Sequence, residues 1–241
     1  MSWRAHGTSN ESLVDNLVQH KILKSPQIAN AMKTVDRKLF TIDPDMAYID
    51  SPSPIGYNAT ISAPHMHAYA LELLFDKIKA PTGGACGGAA TDGIKMLDVG
   101  SGSGYLTDVL SRLVGNGKAI GIEHIPELVE QSVKNVEKDP IGKRLMEQGV
   151  LHLRVGDGWQ GYAEEAPYDG IHVGAAAERV PTALLEQLKV GGRLVLPLGP
   201  QGGDQKLVVI DKEGEDRYRR FDAMGVVYVP LTTKERQLQT L

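Results

Sequence analysis

The sequence predicts an α/β fold with a doubly wound, mainly parallel sheet that ends in antiparallel strands near the C-terminus. Three observations support this prediction. An apolar segment ends in the glycine turn Gly100–Gly104, strand and helix patterns then alternate, and the tail has two apolar stretches around a charged turn. Alternating strands and helices favour right-handed crossovers and a parallel sheet, whereas a short polar turn between apolar stretches favours a hairpin.

Before the sheet, residues 1–64 are predicted to form a helical and irregular N-terminal segment. Ser9–Ser12 offers an N-cap to a first helix, and a second helix is expected over residues 27–35. Prolines at 44, 52, 54 and 64 make residues 41–64 mostly irregular.

A helix is then predicted over residues 65–78, followed by a glycine-rich stretch at 80–93. That stretch contains five glycines among small side chains, which predicts a flexible loop. It lies on the chain just before the strand that leads into the glycine turn.

The sheet itself should contain seven strands. Parallel strands are predicted at 94–99, 118–123, 150–155, 169–173 and 192–197, and the hairpin pairs 206–210 with 224–229. Helices are predicted near 104–114, 126–138 and 181–189. The sequence has no internal repeat and no interdomain linker, so residues 1–241 are predicted to be a single domain.

Composition excludes several classes of partner. The formal net charge is −4, from 26 basic and 30 acidic residues, so no basic surplus is available to neutralise nucleic-acid phosphates. Cys86 is the only cysteine, which rules out an intrachain disulfide. No apolar run approaches the roughly 18 residues of a membrane span, and the N-terminus lacks an apolar signal region. We therefore expect a monomer in the cytosol that binds neither nucleic acid nor membrane.

The glycine turn predicts a nucleotide-like ligand at a strand-to-helix junction. Its spacing is G-x-G-x-G, and Tyr105 occupies the position where the dinucleotide fingerprint has its third glycine. Glu123 ends the next apolar strand and can accept hydrogen bonds from both ribose hydroxyls. Asp157, between Gly156 and Gly158, can accept from the adenine amino group. No Lys or Arg lies in the turn, so the pattern favours S-adenosylmethionine over a phosphate-bearing cofactor.

Each of these motifs also has a purely structural interpretation. The glycine turn can serve only to pack a strand against a helix, and Asp157 can be an ordinary turn residue. His65 and His67 could be taken for metal ligands, but no cysteine and no third ligand lies nearby in the sequence, so no metal site is predicted.

Several longer segments resemble the protein-L-isoaspartate (D-aspartate) O-methyltransferase family, from Trp3 to about Gln237. The glycine turn alone would indicate only a class I methyltransferase, whereas Ala59–Ala68 is much more specific. The segments that carry the resemblance are Ala59–Ala68, Leu97–Gly104, Tyr162–Tyr168, Ile171–Ala177, Gly191–Gly199 and Val227–Thr232.

The resemblance implies a seven-stranded Rossmann-like methyltransferase sheet and an activity on isoaspartyl-containing proteins and peptides. The enzyme would transfer a methyl group from S-adenosylmethionine to the α-carboxylate of damaged L-isoaspartyl residues, initiating repair and leaving S-adenosylhomocysteine. Ser62 would be the catalytic residue. The implied cofactor residues are Ala59, Thr60, Ile61, Ser62, His67, Gly100, Ser101, Gly102, Glu123, His124, Asp157, Gly158, Thr232 and Gln237. The sequence departs from the family pattern in two places. The 80–93 loop is longer than usual, and Glu123 stands where some members have Asp.

The implied chemistry needs little from the protein beyond orientation. A carboxylate of pKa about 4 is already ionised at pH 7, so no general base is required. We therefore expect Ser62 to donate a hydrogen bond to the substrate carboxylate and not to act as a covalent nucleophile. The small side chains of Gly174–Ala177 would leave room for a peptide backbone.

Three alternatives stay open at this stage. An NAD-dependent oxidoreductase would need G-x-G-x-x-G and a catalytic Tyr/Lys or His pair, which the sequence lacks. A methyltransferase for a small metabolite would not need the Ala59–Ala68 segment. A non-catalytic S-adenosylmethionine-binding module would not need Ser62.

Overall fold

A computed structural model describes residues 5–78 and 93–239, and the fold class is the one expected. The described chain contains a seven-stranded sheet and a separate two-stranded hairpin. The strands are β1 (Ser53–Gly56), β2 (Ala59–Ile61), β3 (Lys95–Val99), β4 (Lys118–Glu123), β5 (Leu151–Val155), β6 (Tyr168–Val173), β7 (Leu188–Leu198), β8 (Gln205–Lys212) and β9 (Tyr218–Val226).

The helices surround this sheet and begin at recognisable caps. Ser9 forms a capping box with Ser12, as the sequence predicts, and the Asp139 carboxylate accepts from two backbone N–H groups at the start of its helix. The helices are α1 (Asn10–Gln19), α2 (Pro26–Thr34), α3 (Pro64–Ile78), α4 (Tyr105–Leu113), α5 (Pro126–Glu137), α6 (Pro140–Glu147), α7 (Thr182–Glu186) and α8 (Lys234–Leu238).

The order of the strands determines where a ligand can bind. The sheet runs β5-β4-β3-β6-β7-β8-β9, with parallel pairing from β5 to β7 and antiparallel pairing of β8 with both neighbours. From β3 the chain moves outward to β4 and β5 and then crosses to β6 on the other side. The carboxyl ends of β3, β4 and β6 therefore flank the switch in strand order, where open α/β sheets bind their ligands.

Two apolar clusters cover the two faces of the sheet. Met96 of β3 packs with the helices α1 to α5 on one face, whereas Leu97 and Val99 pack with β6, β7 and α7 on the other. Alternation along a strand produces this division. Asp98 shares the face of Met96 and is buried, which makes it a polar group inside an otherwise apolar layer.

Several predicted elements differ from the structure. The second hairpin strand begins at Tyr218, six residues earlier than predicted, and ends at Val226, three residues earlier, because this edge strand is exposed and carries charged side chains. β7 begins at Leu188, so the helix predicted to reach 189 ends at Glu186. The segment 41–64 is mostly irregular, as predicted, but it also contains the short strands β1 and β2. The helix α6 was not predicted at all.

Two predictions about the organisation of the chain stay predictions. Residues 80–92 of the predicted glycine-rich loop lie outside the described residues. The single-domain organisation of residues 1–241 stays a prediction.

The centre of the sheet depends on the absence of a side chain at Gly121. A Cβ atom there would lie 2.5 Å from the Thr107 Oγ1 atom and 2.8 Å from the Ser101 Cβ atom. We expect Gly121→Ala to lower the free energy of unfolding by about 1–3 kcal/mol, because an added methyl overpacks the core. Unfolding in urea measures this change in the free energy of unfolding. Gly214→Ala is the control, since its Cβ would meet only the Arg217 Cβ atom at 3.7 Å; equal stability of the two variants would contradict the prediction.

Candidate active site

Two adjacent cavities lie at the carboxyl edge of the sheet. The outer cavity encloses about 560 Å³, including space open to solvent, and the inner cavity about 340 Å³. Thr60, Gly100, Gly102 and Gly174 line both, so the cavities meet at the glycine turn.

Most of the residues that the sequence analysis singled out lie in these walls. Those lining the outer cavity are Ala59, Thr60, Gly100, Gly102, Glu123, His124, Gly158, Thr232 and Gln237. Those lining the inner cavity are Thr60, Ile61, Ser62, His67, Gly100, Ser101 and Gly102.

The glycine turn is built from backbone conformations that other residues rarely adopt. Gly100, Gly102 and Gly104 have φ angles of 76°, 50° and 86°, in the left-handed region. The N–H groups of Gly100 and Ser101 both donate to the Ile122 carbonyl, at 2.8 and 3.0 Å, which fastens the turn to β4. A Cβ atom at Gly100 would meet no other atom within 4 Å, so the backbone there borders open space.

Glu123 links the end of β4 to that turn. Its carboxylate accepts from the Gly102 N–H at 3.3 Å through Oε2 and from the Ile125 N–H at 3.1 Å through Oε1. A carboxylate oxygen can accept more than one hydrogen bond, so both oxygens keep capacity for ligand hydroxyls. No Lys or Arg is among the residues lining the outer cavity in the described chain. This donor and acceptor set fits an adenosine without phosphates.

A small network of hydrogen bonds borders the outer cavity at the turn between β1 and β2. The turn between β1 and β2 places Tyr57 and Asn58 at φ angles of 52° and 56°. The Asn58 amide donates to the Gln237 carbonyl at 2.9 Å, and the Gln237 amide donates to the Tyr57 carbonyl at 2.7 Å. The Gln237 Oε1 atom also lies 3.0 Å from His124 Nε2. The C-terminal helix α8 is therefore tied both to the hairpin and to the end of β4.

The inner cavity has polar walls that are largely desolvated. Arg37 is fully buried and donates from Nη2 to the Ser62 carbonyl at 2.9 Å, which fixes the backbone of Ser62. Burial lowers the pKa of Arg37 to about 10, so the side chain stays charged at pH 7. Burial lowers the pKa of His67 well below its usual value, so its imidazole is neutral at pH 7. Its buried Nδ1 atom has no hydrogen-bond partner within the described chain.

Several residues of the inner cavity were missed by the sequence analysis, among them three that make polar or ring contacts. Asp98 accepts from Thr107 Oγ1 at 2.7 Å and lies 2.8 Å from His172 Nδ1, and the Tyr105 ring packs 5.1 Å from the His67 ring. Asp98, Tyr105 and His172 all line this cavity. One signal was available, because Asp98 and His172 are polar residues between apolar neighbours in β3 and β6. Their pairing depends on the register of β3 with β6, which the sequence does not give.

Asp157 is the one predicted cofactor residue that does not line either cavity. It is exposed, and its carboxylate accepts from the Trp159 N–H at 3.0 Å. Its neighbours Gly156 and Gly158 do line the outer cavity. The contact of Asp157 with an adenine amino group stays a prediction.

Residues 5–78 and 93–239 contain neither a cluster of metal ligands nor a helix suited to span a membrane. In these ranges no group of three or more His, Cys, Asp or Glu side chains is arranged to hold a metal ion. Within the same ranges, no helix has the length and apolarity needed to cross a membrane.

The fold and the two cavities are those expected of an S-adenosylmethionine-dependent methyltransferase. The family model described as Protein-L-isoaspartate(D-aspartate) O-methyltransferase matches residues 8–236. The chain therefore belongs to the protein-L-isoaspartate O-methyltransferase family. This membership confirms the resemblance found in the sequence and decides against an oxidoreductase or a non-catalytic binding module.

Individual relatives support the same assignment. Protein-L-isoaspartate O-methyltransferase 1 of Arabidopsis thaliana is 51% identical over 231 residues, covering 95% of this chain and 94% of the relative. The Caenorhabditis elegans enzyme is 46% identical over 239 residues, covering 98% of each chain. A Plasmodium falciparum structure, assigned as a protein-L-isoaspartate O-methyltransferase in complex with S-adenosyl-L-homocysteine, matches with a TM-score of 0.80 at 30% identity. It covers 94% of this chain and 99% of its own.

Proposed function

We propose that the two cavities divide the reaction between them, with the cofactor's adenosine in the outer cavity and the methyl acceptor beside Ser62. The reaction of the family is methylation of L-isoaspartyl residues in damaged proteins, with S-adenosylmethionine as the methyl donor. This assignment of cofactor and acceptor to two cavities is supported by the glycine turn, because Gly100 and Gly102 line both cavities.

The residues of the outer cavity are suited to binding rather than chemistry. We assign Glu123 to the ribose hydroxyls, because it ends β4 at the glycine turn with its carboxylate fixed by two backbone N–H groups. Thr232, Gln237 and His124 also line this cavity, as do Ala59 and Thr60 of the hairpin. These contacts would exclude water from the cofactor, which strengthens the electrostatic interactions inside the cavity.

The inner cavity would bind and orient the acceptor. When bound, S-adenosylmethionine supplies a sulfonium methyl group: a carboxylate oxygen forms the new bond to carbon while the electron pair of the broken bond goes to sulfur. We assign Ser62 as the hydroxyl that donates to the α-carboxylate. Neutral His67 borders the same space, and the buried Arg37 cation behind Ser62 gives this region a positive potential that favours an anion.

The substrate preference follows from what the acceptor must present. An isoaspartyl residue has a free α-carboxylate, because its side-chain carboxyl forms the peptide bond. Gly174 lines both cavities, and because it has no side chain it leaves room beside the acceptor for the displaced backbone. In a normal aspartyl residue the free carboxylate is instead the one on the side chain, so it lies at a different distance from the backbone.

A paired methylation assay tests this function. An isoaspartyl peptide and its aspartyl twin are incubated with the enzyme and radiolabelled S-adenosylmethionine. We expect base-labile label on the isoaspartyl peptide alone, because only that isomer brings its α-carboxylate to Ser62. Equal labelling of the two peptides, or labelling of neither, would contradict the proposal.

We also propose that the protein acts as a monomer in the cytosol. The proposed ribose acceptor Glu123 and the proposed orienting hydroxyl of Ser62 both belong to the same chain. Light scattering at assay concentration should give the 26.1 kDa mass of one chain, and fractionation of the source cells should recover the activity in the cytosol. A mass of two chains, or activity in a membrane fraction, would contradict this.

A further inference from the structure

A buried pair of ionisable side chains lies at the inner cavity and has no part in the function proposed above. Asp98 of β3 and His172 of β6 occupy partner positions on neighbouring parallel strands, and they are 2% and 4% exposed. Both line the inner cavity and neither lines the outer one. In the described chain, the one ion-pair partner of Asp98 is His172. The pair therefore belongs to the cavity that we assign to the methyl acceptor.

Asp98 fixes the orientation of the His172 ring. Its Oδ1 atom lies 2.8 Å from His172 Nδ1, and its Oδ2 atom accepts from the Thr107 hydroxyl at 2.7 Å. A carboxylate can only accept hydrogen bonds, so we assign a proton to Nδ1. The other ring nitrogen, Nε2, makes no hydrogen bond within the described chain. One nitrogen is thus anchored, and the other is left for a ligand.

One edge of this ring lies close to a residue that the two cavities share. Gly174 lines both cavities, and a Cβ atom there would lie 3.7 Å from His172 Cε1, the carbon between the two ring nitrogens. Ser62 also lines the inner cavity, from the segment between β2 and α3. The lining of the inner cavity therefore combines the Ser62 hydroxyl with an oriented imidazole from the sheet.

Two other ionisable side chains of this cavity carry no charge at neutral pH. Burial lowers the pKa of His67 on α3 well below its usual value, and burial raises the pKa of Tyr105 on α4 to about 12. Neither has a carboxylate as hydrogen-bond partner within the described chain, whereas His172 has Asp98. Among the described residues that line the inner cavity, His172 is the one placed to meet an anion with a positive charge.

We propose that His172 is a second acceptor-binding residue, which donates a hydrogen bond from Nε2 to the isoaspartyl α-carboxylate beside Ser62. Nε2 carries a proton while the acceptor is bound, so the ring is then an imidazolium between two carboxylates. Asp98 is the positioning residue that holds this ring. Methyl transfer turns the acceptor into an uncharged ester, which removes the charge from this hydrogen bond and favours release of the product. This inference rests on the proposed role of the inner cavity.

Replacement of His172 by asparagine tests the proposal, because the shorter amide can keep the hydrogen bond to Asp98 but has no atom at the Nε2 position. We expect kcat/KM for the isoaspartyl peptide to fall by about 10- to 100-fold, since a hydrogen bond to a charged group is lost. The Kd for S-adenosylhomocysteine, measured by calorimetry, should stay within twofold of wild type. His172→Gln returns a donor near the Nε2 position and should recover part of the loss. His152→Asn is the matched control, because this half-buried histidine of β5 lines neither cavity.

The protonation of His172 in a complex separates binding from packing. In wild-type enzyme with S-adenosylhomocysteine and the isoaspartyl peptide bound, the nitrogen NMR shifts of isotope-labelled His172 should show a proton on both ring nitrogens. An unprotonated Nε2 in that complex, or a His172→Asn enzyme within twofold of the wild-type kcat/KM, would overturn the inference. A folded His172→Asn enzyme that binds S-adenosylhomocysteine more than twofold more weakly would also overturn it, since the ring would then serve the cofactor. Failure of the proposed function is distinct, because it would appear as a wild-type enzyme that does not prefer the isoaspartyl peptide.

Discussion

Replacement of Glu123 by alanine is expected to weaken the binding of S-adenosylhomocysteine by about 100-fold or more. Two hydrogen bonds between a carboxylate and ribose hydroxyls would be lost, and bonds to a charged group contribute about 1.5–3 kcal/mol each. The Gly102 and Ile125 N–H groups would also lose their acceptor, which loosens the glycine turn. Isothermal titration calorimetry measures the affinity without any need for turnover.

Two further variants show whether the effect comes from the carboxylate itself. Glu123→Gln keeps one oxygen acceptor but replaces the other by a donor, so we expect an intermediate loss of about 10-fold. Glu130→Ala is the matched control, because Glu130 lies on the exposed surface of α5 and lines neither cavity. Affinity within twofold of wild type for Glu123→Ala would remove Glu123 from the cofactor site.

The parts of the fold that could be predicted are those governed by local patterns. β3 and β4 are apolar strands followed by a glycine turn or a carboxylate, and these short-range signals locate the carboxyl edge of the sheet. β9 was misplaced because most of its residues are exposed and three of its nine are charged. An edge strand of this kind is defined by hydrogen bonds to β8, and those bonds leave no periodic apolar signal in the sequence.

The candidate site shows the same division between local and long-range information. The resemblance to the family points to individual positions such as Ser62 and Gln237, but it does not give their partners. Ser62 is held by Arg37, which is 25 residues away, and Gln237 contacts Tyr57 across 180 residues. Contacts of this kind depend on the packing of α3 and α8 against the sheet. A sequence without the fold therefore names the residues but not the network that orients them.

Ser62→Ala is expected to lower kcat/KM for an isoaspartyl peptide by about 10- to 100-fold, because a hydrogen bond to a charged group contributes about 1.5–3 kcal/mol. The Kd for S-adenosylhomocysteine should change little, since Ser62 lines only the inner cavity. Ser53→Ala is the control: it deletes a buried hydroxyl that has no hydrogen-bond partner within the described chain, so its kinetics should match wild type.

The shape of the pH profile distinguishes orientation from covalent catalysis. The acceptor carboxylate is ionised throughout pH 6–8, as its pKa is about 4. If Ser62 only orients this carboxylate, the residual activity of Ser62→Ala should run parallel to wild type over that range. A serine nucleophile would instead need a base to remove its proton, and His67, which burial keeps neutral, is the imidazole that lines the same cavity from α3. Complete loss of turnover in Ser62→Ala, with the cofactor affinity retained, would contradict an orienting role. A measurable and pH-independent fraction of wild-type activity is the result that agrees with methyl transfer to an already ionised acceptor.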